Sequence, residues 1–137
     1  MIKIKLDNKD FAIKKDEILK WTQGNEMEVG FFESATYPGG EFVASVAIYN
    51  EFGTQNIPPR PFFRSALDKN EARYWNFLAS EFVKNEPAKK SLTKLGELVR
   101  GDVIKSITQF SEPPNAPSTI KAKGSSNPLI DTGVMRF

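Results

Sequence analysis

Leu92, Leu95, Val99, Val103, Ile107 and Phe110 step along the chain by 3, 4, 4, 4 and 3 residues. Side chains three and four apart share one face of a helix, so this spacing predicts a helix over about 87–110 with one continuous apolar stripe. A stripe of about five turns has to be covered, either by the rest of the chain or by a partner. The first option makes it the main core helix, and the sequence favours that reading. Pro87 suits the first turn of such a helix. Leu67, Tyr74, Leu78 and Phe82 step by 7, 4 and 4 and predict a second amphipathic helix over about 65–84, ended by Asn85-Glu86-Pro87.

Two proline clusters bracket this helical pair. Ile57-Pro58-Pro59-Arg60-Pro61 cannot be helix interior and lacks ladder donors, so it predicts an extended crossing segment, with Phe62 and Phe63 re-entering a core or a neighbouring subunit. Glu112-Pro113-Pro114-Asn115-Ala116-Pro117 and Lys123-Gly124-Ser125-Ser126-Asn127-Pro128 leave little beyond Ile120, Leu129 and Ile130 to bury. Residues 111–137 therefore read as an arm that becomes ordered on a neighbour.

The first half is shorter in period. Ile2, Ile4 and Leu6 alternate with lysines, and Met27, Val29 and Phe31 alternate with Glu28 and Gly30, each suggesting a strand. A helix ending near Trp21, before Gln23-Gly24-Asn25, lies between them. Phe42–Phe52 fits both periods; Gly53, placed where a helix C-terminal cap belongs, favours helix. The resulting expectation is an α+β fold: a small antiparallel sheet packed by two long helices, with a long Pro-rich loop and a C-terminal arm. The domain would occupy 1–110, and the arm 111–137 would belong to it.

Composition narrows the chemistry. The 137 residues contain no Cys and no His, which removes disulfides, thiolate ligands, the commonest general base and the commonest metal ligand. Apolar runs fall far short of the roughly 20 residues of a membrane span, and no secretory signal is recognisable at the start. Ser91-Leu92-Thr93-Lys94 has the Ser-x-x-Lys spacing of acyl-transfer enzymes, but its Leu belongs to the core stripe and no supporting element accompanies it. Asp16-Glu17 reads as solvated surface, and Gly39-Gly40 lacks the Lys-Ser/Thr of a phosphate loop. The expectation is a protein that is not an enzyme and uses no cofactor and no metal.

A net charge of +2 hides an uneven distribution. Residues 24–57 carry five Glu and no Lys or Arg, whereas 84–110 carry six basic residues against three acidic ones. Such asymmetry suits head-to-tail packing of copies, or is an ordinary difference between solvated faces. Lys90, Lys94 and Lys105 lie opposite the apolar stripe, as a phosphate-facing or merely solvated basic face.

Two blocks are more specific. Val46-Ala47-Ile48-Tyr49-Asn50-Glu51-Phe52-Gly53-Thr54 is followed by Ile57-Pro58-Pro59-Arg60-Pro61-Phe62-Phe63-Arg64. Pro113-Pro114-Asn115-Ala116-Pro117-Ser118-Thr119-Ile120 precedes Pro128-Leu129-Ile130-Asp131-Thr132-Gly133. Together they resemble the tail-completion and head–tail joining proteins of long-tailed bacteriophages, over about Val29–Gly133. Family members commonly continue past the Asp-Thr-Gly turn with another strand; only Val134-Met135-Arg136-Phe137 follow here, so that strand is expected to be shortened.

The resemblance implies a structural virion protein at the neck, assembled in the bacterial cytoplasm. It would be a homo-oligomeric, hexameric ring that caps the tail tube protein and offers a docking surface to the head-side connector. Genome DNA would pass through the lumen without specific binding, and no membrane would be involved. Subunit or partner contacts would come from Asn50, Glu51, Phe52, Gly53, Thr54, Pro59, Arg60, Pro61, Phe62 and Phe63. The second block would add Pro113, Pro114, Thr119, Ile120, Leu129, Ile130, Asp131 and Thr132. Arg60, stiffened between prolines, would pair with a carboxylate such as Glu51, within the loop or across subunits. Two alternatives remain: a head-side adaptor of the same particle, and a small nucleic-acid-binding module using the basic helix 84–105.

Overall fold

A computed structural model describes residues 15–124, 126–129 and 135. Among these residues five helices follow one another: α1 (Lys15–Trp21), α2 (Val43–Phe52), α3 (Phe62–Val83), α4 (Ala88–Gln109) and α5 (Pro117–Lys123). The two long helices expected from periodicity are α3 and α4. Phe42–Phe52 resolves as helix, and its C-cap is Gly53 at φ 76°.

The expected sheet does not form among the described residues. Among the described residues no strand forms, and the only pairing is an isolated bridge between Thr36 and Phe42. Over the described residues the fold is helical, and the α+β expectation is corrected. A strand needs a neighbour to take its backbone hydrogen bonds, and Phe42–Phe52 satisfies its own as α2. The alternation of Met27, Val29 and Phe31 has another cause. Met27 and Val29 lie against α4 at Gly96, where an added Cβ would come within 3.2 Å of Met27 Cγ. Phe31 meets Phe62 of α3 edge-to-face, with ring centroids 6.2 Å apart. An extended segment laid on helices and a strand share period two. The strand expected at Ile2–Leu6 lies outside the described residues.

The described residues form two compact units. The first contains 15–29 and 68–100; its core is Ile18, Leu78, Ala79, Leu95 and Val99. Trp21 stacks edge-on against Phe82 at 5.5 Å, which brings the last turns of α1 and α3 together. The second contains 30–67 and the described residues from 101 onward. Its core is Val43, Ala47, Phe62, Ala66, Val103, Ile107, Leu129 and Met135. Leu95, Val99, Val103 and Ile107 of the α4 stripe are all buried, so the stripe serves the cores of the chain itself.

The described part of the C-terminal arm packs onto its own unit. Pro117 opens α5 as an N-terminal helix residue, where its missing N–H costs nothing. Asn127 donates to the carbonyls of Ile107 (3.2 Å) and Thr108 (2.8 Å) at the end of α4, and its Oδ1 accepts from Leu129 N.

Candidate functional site

The block around Asn50–Arg64 is organised by two buried charges that do not pair with each other. Glu51 is 6% exposed, on the inward face of α2 beside Val43 and Ala47. Its Oε2 accepts from the backbone N–H of Phe63 (2.9 Å), and its Oε1 accepts from Arg64 N (3.1 Å) and Arg64 Nε (2.7 Å). Phe63 and Arg64 belong to the first turn of α3, whose N–H groups have no partner within the helix. A carboxylate there satisfies two of them and faces the positive end of the helix dipole. Phe62 N donates to Arg60 O and Ser65 N to Pro61 O, so the first turn is fully satisfied. The cap reaches α3 from a different helix, a dozen residues upstream.

Arg60 is 5% exposed and points the other way, into the second proline cluster. Its Nε donates to Pro113 O at 2.9 Å and its Nη2 to Pro114 O at 3.1 Å; Nη1 reaches Asn50 Oδ1 at 3.4 Å. Its backbone N–H donates to Asn50 O at 2.6 Å. Prolines offer carbonyls and no N–H, so two in a row form an acceptor pair that a planar guanidinium can span. Every acceptor is neutral, and burial pulls the Arg60 pKa below its ordinary value. The side chain therefore fastens the 113–114 segment to the end of α2, in place of the ion pair with Glu51 expected from sequence.

Between α2 and α3 the chain turns on two residues. Thr54 Oγ1 accepts from the N–H groups of Asn56 and Ile57, and Thr54 N donates to Ile57 O. Gly53 sits at positive φ, and a Cβ on it would lie 2.8 Å from Pro59 N and 2.9 Å from Ile57 O. Only glycine fits. Phe62, also buried, accepts at its carbonyl from Ser106 Oγ of α4 (2.8 Å) and stacks edge-on with Phe63.

The structure thus brings Asn50, Glu51, Phe52, Gly53, Thr54, Pro59, Arg60, Pro61, Phe62 and Phe63 into one assembly with Pro113 and Pro114. Glu51, Arg60, Phe62 and Leu129 are inside it and not on its surface. Thr119 and Ile120 lie on α5. Ile130, Asp131 and Thr132 fall outside the described residues.

The surface of this assembly is apolar in a way that sequence reasoning passed over. On α2, Val43, Ala47 and Glu51 face inward, while Ile48, Tyr49 and Phe52 face out at 56%, 50% and 62% exposure. Phe42, at the N-cap, is 54% exposed and seven residues before Tyr49, hence on the same side. Arg64, held by Glu51, lays its guanidinium over the Phe52 ring at 4.8 Å and fixes that ring. A surface helix with apolar residues on both faces was legible in Val43–Phe52 itself.

The other unit holds the Ser-x-x-Lys sequence. Ser91 Oγ donates to Glu81 Oε2 at 3.2 Å, and Lys94 Nζ donates to the same oxygen at 2.9 Å. The Lys94 hydrogen bond holds the Glu81 carboxyl below the usual carboxylate range against the opposing effect of burial, and the same bond raises Lys94. Ser91 is wholly buried, so the trio joins α3 to α4 and presents no hydroxyl to a substrate. Of the basic face, Lys94 is thus committed to Glu81 and Lys90 to Glu86 at 3.2 Å, while Lys105 is exposed.

Among the described residues no cluster of His, Cys, Asp or Glu suits a metal ion, and no helix is long and apolar enough to cross a membrane. Comparison with protein-family models, with curated proteins and with solved structures gave no match.

Proposed function

We propose that this chain is a structural component of the neck of a long-tailed phage particle. It acts by binding, as a ring of copies that closes the tail tube and receives the head-side connector. The observation that carries this reading is the outward apolar face of α2, held beside the rigid Asn50–Phe63 block. Four large apolar side chains, each at least half exposed, are an interaction surface and not a solvated one. The same block carries the resemblance to tail-completion proteins.

The ion pairs of Lys90 and Lys94 weigh against the nucleic-acid module, because Glu86 and Glu81 offset part of the positive charge those lysines would present to phosphates. Adding the purified protein to polymerising tail tube protein, with negative-stain imaging, tests the proposal. Tubes capped at one end and arrested in growth are the expected result. Retention by the connector alone would favour the head-side adaptor, and binding to neither would end the neck reading.

A further inference from the structure

The outward positions of α2 are Phe42 at the N-cap, Ser45, Ile48, Tyr49 and Phe52, which fall within about one third of the helix circumference. All but Ser45 are large, apolar and at least half exposed. Ser45 is small and sits among them, so a second helix can lie close there. The one charged residue of α2, Glu51, points inward.

The two ends of this face differ in charge. Glu41, exposed, adjoins Phe42 at the N-terminal end. Its backbone is fixed there: Tyr37 N donates to Glu41 O at 2.8 Å, and Val43 N to Ala35 O at 2.9 Å. At the C-terminal end the exposed Arg64 guanidinium lies over the Phe52 ring. Glu51 takes Arg64 Nε with its carboxylate and Nη2 with its carbonyl. Among the described residues nothing accepts from Arg64 Nη1.

We propose that at low concentration, before it assembles further, the chain forms a two-fold pair in which the α2 faces of two copies lie antiparallel. That orientation sets Phe42 opposite Phe52 and Ser45 opposite Tyr49. It also brings Glu41 of each copy to the Arg64 end of the other, whereas a parallel pairing would set Arg64 against Arg64 and Glu41 against Glu41. The dipoles of the two helices oppose each other as well. The four apolar side chains expose roughly 400–500 Å² together. With roughly 60% of an interface apolar, that area fills about 700–800 Å² per copy, the size of an ordinary stable interface. One patch serves both copies, so no second surface is needed and the contact closes at two chains.

The pair goes beyond the neck reading, since it is a state of the free chain. Its role does rest on that reading: it covers the α2 face until the tail tube protein or ring closure displaces one copy.

Sedimentation velocity of the full chain without tube protein, over a wide concentration range, tests the pair. The expected result is a monomer–dimer equilibrium with a mass rising to twice 15.4 kDa before any larger species forms. Tyr49→Asp is expected to abolish the two-chain species. Glu41→Lys is expected to raise its dissociation constant about tenfold at low salt and by less at high salt. A wild type that is monomeric throughout, rings with no two-chain species at any concentration, or a Tyr49→Asp variant that pairs as the wild type does would each overturn the pair. Tube capping is scored separately; its failure ends the neck reading and leaves the pair standing.

Should Tyr49→Asp unfold α2, a second measurement avoids it. The chain has no cysteine, so single Ser45→Cys and Tyr49→Cys variants have no background. Oxidation of their mixture is expected to join position 45 of one copy to position 49 of the other, identified by peptide mapping. A predominance of 45–45 and 49–49 links would overturn the antiparallel pair, and so would the absence of links.

Discussion

Glu51 Oε1 accepts both the backbone N–H and the side-chain Nε of Arg64, at 3.1 and 2.7 Å. One oxygen thereby ends the exposed α2 face, starts α3 and fixes the guanidinium that covers Phe52. Removing the carboxylate takes the acceptor from the part-buried N–H groups of Phe63 and Arg64. Glu51→Ala should cost about 2–4 kcal/mol, and Glu51→Gln, which keeps an acceptor and loses the charge, about half that. Urea unfolding of the two variants against wild type checks the order.

Arg60 should be replaceable by neither lysine nor alanine. A lysine ammonium cannot span the Pro113 and Pro114 carbonyls as the planar fork does. Both substitutions are expected to free the segment from Ser111 to Leu129, read as faster amide exchange there. Arg60→Ala should cost about 1–3 kcal/mol, since it takes the donor from the half-buried Pro113 carbonyl and from Pro114. Unchanged exchange in that segment would show that Asn127 alone holds it.

At Gly53 the backbone is left-handed and the neighbouring Pro59 and Ile57 leave no room for a Cβ. Gly53→Ala should therefore destabilise by at least about 2 kcal/mol, whereas Gly24→Ala, also at positive φ but in open space, should cost about 1 kcal/mol. Thermal melting of the pair separates crowding from conformational strain.

The Glu81–Lys94 pair makes stability depend on pH at both ends of the scale. Glu81 is depressed in the folded state, so its contribution is present above the unfolded value of about 4.3 and is lost as pH falls through the lower folded one. Lys94 is raised; its contribution is present below about 10.4 and is lost as pH rises through the higher folded value. Glu81→Gln should flatten the acid limb and also weaken the alkaline one. Denaturant titrations across the acid and alkaline ranges would show this, and an unchanged acid limb would assign that limb to other carboxylates.

The helices were legible wherever a local rule decided them. Leu95, Val99, Val103 and Ile107 repeat at helical spacing and are buried as that spacing requires, and Gly53 closes α2. The sheet was misread because alternation at Met27, Val29 and Phe31 records contact on one side of an extended chain. It says nothing about whether the surface beneath is sheet or helix. The partners of Glu51 and Arg60 were equally out of reach. Glu51 and Arg60 are close in sequence and invite pairing, but an unfilled helix N-terminus holds the one and two proline carbonyls, 53 and 54 residues away from Arg60, hold the other. The proline-rich arm is poor in apolar residues, and composition alone shows that much. What sequence could not show is that polar fasteners, Arg60 and Asn127, hold the arm alongside the buried Leu129 and Met135.

Self-assembly is the claim on which the functional account stands. The most direct test is the light-scattering mass of the full chain over a wide concentration range, with negative-stain images of the same samples. Closed rings at a fixed multiple of 15.4 kDa are the predicted result. A mass of one chain at every concentration, alone and with tail tube protein, would contradict it.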